Sequence, residues 1–288
     1  MKNLPRAAHP PEVRVYTPDQ QIGWGPAAWR AMAGELWRAR ELTWRLFLRD
    51  FNARYRQSVL GVAWAVVLPV ATVATFVFLN RSGVLNIGDT GVPYPAYALL
   101  SLAVWQVFAS GIGLCSNAIV AGGGMVVKIN FPKETLVLAH LGQVLFDTAV
   151  RLATVALVFV LFRVAPRWTA VFLPLVLVPM VLLTLGLGLA LAWFNALVRD
   201  VGHVLTPVTT FLLFMTPVLY PNTNKGLLAV VTPYNPLAVL VSAGRDVVIT
   251  GHLTDPGSFA AVAALSVVVF VISWRVFHLV EPRLAERL

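Results

Sequence analysis

Residues 49–69 read RDFNARYRQSVLGVAWAVVLP: a basic segment with Arg49, Arg54 and Arg56 abuts an apolar run from Val59 to Leu79, broken only by Thr72 and Thr75. About 20 apolar residues cross a bilayer as a helix, and positive charge marks the cytoplasmic flank. The junction therefore fixes a membrane span and its direction. Composition agrees: 58% of residues are hydrophobic, only 12% are charged, and the mean hydropathy is +0.76, whereas soluble domains carry about 25% charged residues. The apolar runs have helical length and no short alternating pattern, which selects helices over a β-barrel.

The net charge of +9 would suit nucleic acid, but ten of the 22 Lys and Arg precede residue 58, where they face the cytoplasm and the anionic leaflet. Cys115 is the single cysteine, so no disulfide framework exists. The first residues, MKNLPRAAHPPEVRV, have no apolar core and do not read as a cleaved signal.

Three regions are expected: a cytoplasmic tail over 1–27, an amphipathic interfacial helix over 28–57, and a transmembrane domain over 58–288. In the helix, Trp29, Met32, Leu36, Trp37, Trp44, Phe47 and Phe51 share one face, with Arg30, Arg38, Glu41, Arg45 and Arg49 opposite. Arg40 interrupts the apolar face, along which its stem can lie. A helix packed on a partner protein is the alternative.

The fold predicted is an all-α membrane protein with six transmembrane helices, at about 59–79, 96–119, 136–162, 169–197, 204–220 and 257–277. Pro69 kinks the first span. Ser101, Gln106, Ser110, Ser116 and Asn117 make the second polar enough to face protein or a pore. The third contains Asp147 and Arg151, four apart and able to pair. The fourth carries Gly186, Gly188, Ala190 and Ala192, which permit close helix packing. Between spans five and six, 227–231 and 237–249 are too short to cross and read as two re-entrant or interfacial helices on the outer side. Both termini are then cytoplasmic, with fifteen Lys and Arg on inner segments against five on outer ones.

No enzyme signature stands out. His9, His140, His203, His252 and His278 are scattered without metal-ligand spacing, so no metal site is expected. There is no GxSxG turn and no GxxxxGK[ST] phosphate loop. ATP is therefore not hydrolysed here by P-loop chemistry.

The basic junction resembles the start of the first span in ABC-2 type permeases that export polysaccharides, such as those for O-antigen, capsule and teichoic acid. Three further stretches match in order. Lys128-Ile129-Asn130-Phe131-Pro132-Lys133-Glu134 resembles the family's turn before span 3. Arg199-Asp200-Val201 resembles its turn before span 5, and Tyr234-Asn235-Pro236 with Arg245-Asp246 resembles the element before span 6. In span 2, Ser101–Trp105 departs from the family's Gly-Leu-x-Pro-Trp element and keeps the Trp.

The resemblance implies a half-transporter in the inner membrane. Two copies would form a channel, and two copies of a separate ABC ATPase subunit would hold the ATP and Mg. No cofactor is expected on this chain. The substrate would be a glycan on a polyprenyl pyrophosphate. A smaller lipid or drug as cargo, or an intramembrane lipid-glycan enzyme, are the alternatives.

Sites follow from that use. Trp64, Phe76, Trp105 and Phe108 are candidates to line a glycan path, against lipid-facing packing. Arg49, Arg54 and Arg56 suit pyrophosphate oxygens, or only set topology. Lys128, Phe131, Pro132, Lys133 and Glu134 are candidates for coupling to the ATPase, against plain helix punctuation. Asn235, Pro236 and Arg245 mark the outer element.

Overall fold

The computed structural model describes residues 25–55, 61–83, 88–128, 131–198, 200–221 and 232–284. The described residues are helical, with no strand among them. In chain order the helices are α1 (Pro26–Arg38), α2 (Arg40–Tyr55), α3 (Trp64–Arg81), α4 (Tyr94–Ser116), α5 (Ala118–Gly122), α6 (Gly124–Lys128), α7 (Glu134–Leu161), α8 (Leu173–Leu197), α9 (Asp200–Met215), α10 (Pro236–Ile249) and α11 (Pro256–Leu284).

Among the described residues, four stretches are long and apolar enough to cross a membrane: Tyr94–Ser116, Glu134–Leu161, Trp168–Leu197 and Pro256–Glu281. They fall on predicted spans 2, 3, 4 and 6. Spans 1 and 5 correspond to shorter apolar helices, Val66–Arg81 and Asp200–Met215. The fifth starts earlier and ends earlier than 204–220. Asp200 supplies an acidic residue in the first turn, which favours a helix N-terminus. Pro217 then disfavours helical backbone at Thr216, so the helix stops at Met215. Asp200 and Val201, expected in the turn before span 5, are therefore part of the first turn of α9. The predicted piece at 237–249 is α10, while 227–231 lies outside the described residues.

α4 is the central element. It packs against α3, α7, α8, α9 and α10, and its Trp105 is only 2% exposed. The polar character of this span thus goes mostly into protein contact. Its hydroxyls are satisfied locally: Ser101 Oγ donates to Tyr97 O at 2.9 Å, and Ser110 Oγ donates to Gln106 O. Such back-bonding keeps these two hydroxyls from being left bare in hydrocarbon.

The small residues of α8 set the spacing. A Cβ on Gly186 would lie 2.8 Å from the Cα of Phe270 in α11, and one on Gly188 would lie 2.5 Å from Cys115 Cβ in α4. Glycine at both positions lets three helices approach closely, as packing without a hydrophobic driving force requires.

The far end of the bundle is closed by a polar knot. Asn235 caps α10, accepting from Leu237 N at 3.0 Å, and its amide donates to Thr216 Oγ1 at 3.0 Å and to Met215 O at 3.3 Å. Pro236 takes the first helical position, where no donor is needed. Arg245, 8% exposed, donates to Tyr97 Oη and to Pro217 O at 3.2 Å, with its guanidinium over the Tyr97 ring. Tyr94 and Tyr97 donate in turn to Leu219 O and Tyr220 O at 2.9 and 3.0 Å. The C-terminal carbonyls of α10 are used as well: Val247 O accepts from Thr169 Oγ1 at 2.6 Å and Val248 O accepts from Arg167 N at 2.9 Å.

Gly186→Ala should lower the thermal unfolding midpoint of the detergent-solubilised chain, by the equivalent of about 1–3 kcal/mol for overpacking against backbone. Gly113→Ala, which would meet nothing within 4 Å, should not. Equal midpoints for the two variants would contradict the packing described.

Candidate functional site

The opposite end of the bundle gathers most of the residues singled out from the sequence. The predicted interfacial segment is two helices meeting at Ala39, where the backbone leaves the helical region. α1 docks on α11: Trp29 and Trp274 meet edge to face at 5.7 Å, and Arg275 Nη1 donates to Met32 Sδ at 3.2 Å. α2 docks on α7 through an aromatic ladder. Phe47 lies between Trp44 and Phe51 at 5.1 and 5.7 Å, and Phe51 meets Phe146 of α7 at 4.8 Å. Trp37 and Trp44 remain 69% and 58% exposed, so the outer aromatic face is free to meet lipid. Arg40 stacks on Trp37 with its guanidinium 4.6 Å from the ring.

The arginines of the junction are held differently. Arg49 pairs with Asp50 at 2.7 Å, and its Nη1 donates to Met125 Sδ of α6 at 3.7 Å. Arg54 pairs at 3.1 Å with Asp147, whose side chain is 6% exposed. Asp147 thus has a partner from α2, 93 positions away, which the i,i+4 spacing to Arg151 did not suggest. Arg151 lines a small crevice with Val66, Pro69, Leu99, Ala103, Thr154 and Val155. Arg56 lies outside the described residues.

The glycine triplet separates α5 from α6, with Gly123 at φ +48, a conformation that glycine adopts without strain. Lys128, at the end of α6, is exposed; Ile129 and Asn130 lie outside the described residues. Beyond them the turn goes inward. Phe131 is 7% exposed, Lys133 4% and Glu134 2%. The Lys133 ammonium donates to Phe131 O at 2.9 Å and lies over that ring. Burial pushes its pKa down, against the opposing pull of the Glu281 and Glu134 charges. Pro132 O accepts from Thr135 Oγ1 at 2.7 Å, locking the start of α7. Lys133 N donates to Glu281 Oε1 at 2.8 Å, and His278 Nδ1 lies 3.0 Å from Glu134 Oε1. The turn is therefore anchored to the end of α11. His278 and Glu281 were not singled out by spacing, because their partners are 144 and 148 positions away.

Beside this turn a cleft of about 460 Å³ opens between α4, α5, α8 and α9. Its polar lining is Ser116, Asn117, Asn195, His203, Thr206 and Thr209. Asn195 ties it together, donating to Ser116 O at 3.1 Å and accepting from Gly202 N at 3.1 Å. Apart from His203 the lining bears no ionisable group. Sequence reasoning missed Asn195, whose only signal was a lone amide in an apolar helix.

Of the four aromatics, Trp105 and Phe108 lie in the protomer core, 2% and 5% exposed with ring centroids 5.7 Å apart. Phe76 packs partly buried against that core, and Trp64 is 45% exposed. The structure thus does not bring the four into one lining. Asn235, Pro236 and Arg245 sit at the other end, in the polar knot.

Apolar helices long enough to cross a membrane, with α1 and α2 docked at one end, make this a multi-pass membrane bundle. Over residues 41–249 the chain matches the family described as ABC-2 type transporter, and it belongs to that family. It is 27% identical over 259 residues to the O-antigen export system permease protein RfbA of Myxococcus xanthus, covering 88% of this chain and 96% of the relative. It is 23% identical to the protein of the same name from Klebsiella pneumoniae, covering 83% and 91%. The polysialic acid transport protein KpsM of Escherichia coli is 23% identical, over 81% and 91%.

The Arg54–Asp147 pair should behave as one unit. Asp147→Ala and Arg54→Ala should each lower the unfolding midpoint, and the double variant should cost less than the sum of the two, with a coupling of about 0.5–3 kcal/mol. Strict additivity would show that the pair contributes nothing.

Proposed function

We propose that the chain is the transmembrane subunit of an ABC exporter that moves a polyprenyl-pyrophosphate-linked polysaccharide, O-antigen foremost, across the cytoplasmic membrane. Two copies form the conduit, and two copies of a separate ATPase subunit drive it. The observation that carries this reading is the match along 96% and 91% of two relatives named as O-antigen export permeases. α3 and α9 complete six spans in this reading, and α10 is re-entrant on the outer side. Both termini are then cytoplasmic.

The turn before α7 would carry the coupling, with its parts divided between two tasks. Lys128 is exposed and meets the ATPase. Phe131, Pro132, Lys133 and Glu134 are packed inside, so they pass the displacement to α7 and α11. Arg49, Arg54 and Arg56 are assigned to the pyrophosphate head group, where a guanidinium matches phosphate oxygens. The cleft around Asn195 is lined by amides and hydroxyls, which suits a hydroxyl-rich and mostly uncharged cargo. Trp64, Phe76, Trp105 and Phe108 are assigned to the path of the glycan. The buried pair supports that path from behind, and Trp64 is the one open to contact.

The test is co-reconstitution in proteoliposomes with a nucleotide-binding subunit. The expected result is stable association and ATP hydrolysis stimulated by glycan-linked polyprenyl pyrophosphate. Lys128→Glu should reduce that stimulation at least about tenfold, as loss of a charged contact at a protein interface does, while the chain stays folded. A chain that never associates with the ATPase sinks the reading. Stimulation by small lipids or drugs alone would overturn its substrate half.

A further inference from the structure

At the end of α11, folding assembles a buried set that spacing in the sequence does not reveal. Glu134 is the first residue of α7, while His278 and Glu281 lie one turn apart on α11. One ligand atom from each residue lies within 4.8 Å of the other two. His278 Nδ1 is 3.0 Å from Glu134 Oε1 and 3.9 Å from Glu281 Oε2. Two ligands on a tetrahedral ion with bonds near 2.1 Å are separated by roughly 3.4 Å, so the two distances bracket the value needed.

Two further observations point to a cation. Glu134 is 2% exposed, and its second oxygen, Oε2, is buried with no hydrogen-bond partner among the described residues. A carboxylate oxygen so placed calls for one. Glu281 is already oriented: Lys133 N donates to its Oε1, leaving Oε2 toward His278. An outer hydrogen bond of this kind is how ligating carboxylates are held. The Glu281 side chain, 13% exposed against 3% for the other two, leaves a way in.

We propose that Glu134, His278 and Glu281 form a divalent metal site that takes Zn²⁺ and staples the turn before α7 to the end of α11. One imidazole and two carboxylates, with a fourth position left for water, match this ion's preferences. The site is independent of the export reading and holds whatever the cargo is.

The test uses the full chain in detergent, with any affinity tag removed, stripped by chelator and titrated with ZnCl₂. Bound metal is measured by mass spectrometry, affinity by competition with a chromophoric chelator, and stability by thermal unfolding. The expected result is one equivalent of Zn²⁺ per chain and a higher unfolding midpoint with metal. Glu134→Gln and His278→Ala should each weaken binding at least about tenfold. His252→Ala, in the exposed turn before α11, should bind as wild type. Binding well below one equivalent in the wild-type chain overturns the proposal without any variant having to fold. So does equal binding in Glu134→Gln and wild type, or an equal loss in His252→Ala. Proton uptake by the cluster with no metal bound would place a shared proton there instead of a metal and likewise overturn it.

Discussion

The approach of α8 to its neighbours is the contact on which the rest of the bundle depends. In hydrocarbon, apolar side chains gain little by leaving lipid for protein, so close packing and internal hydrogen bonds must hold helices together. Gly186 puts the α11 backbone against α8, and Gly188 puts Cys115 of α4 there. Three helices are thereby fixed around one seam. α7 packs on the other side of α4, and α10 lies across α4 and α8.

The two ends of this seam are closed by different chemistry. At one end a single buried guanidinium, Arg245, collects a phenol, a carbonyl and a serine hydroxyl from three segments. Its charge stays within reach of an aromatic face, which suits a cation removed from water. At the other end the charges are paired: Arg54 with Asp147, and Lys133 among Glu134 and Glu281. The first arrangement fixes a cap. The second links segments that belong to different helices, through side chains and the Lys133 backbone N–H.

Much of the architecture was legible because its signals are local. The long apolar runs gave four spans, and Pro236 with Ile249 bounded α10 nearly as expected from 237–249. Asn235 and Arg245 were visible as a motif, though not as a cap and its bolt. What stayed hidden were the pairings across long separations. Nothing near Asp147 announces Arg54, and nothing near His278 announces Glu134. The helix break at Ala39 was hidden for another reason. The apolar face continues across it, and no glycine or proline marks it. Trp105 and Phe108 were visible as aromatics in a polar span, while their burial in the protomer core was not.

The division at Ala39 has a mechanical meaning. α1 grips α11 through Trp29 and Met32, while α2 grips α7 through Phe51 and Arg54. A single unbroken rod would tie those two long helices into one strut. With a turn between them, each half keeps its own host, and one short peptide segment joins the two attachments.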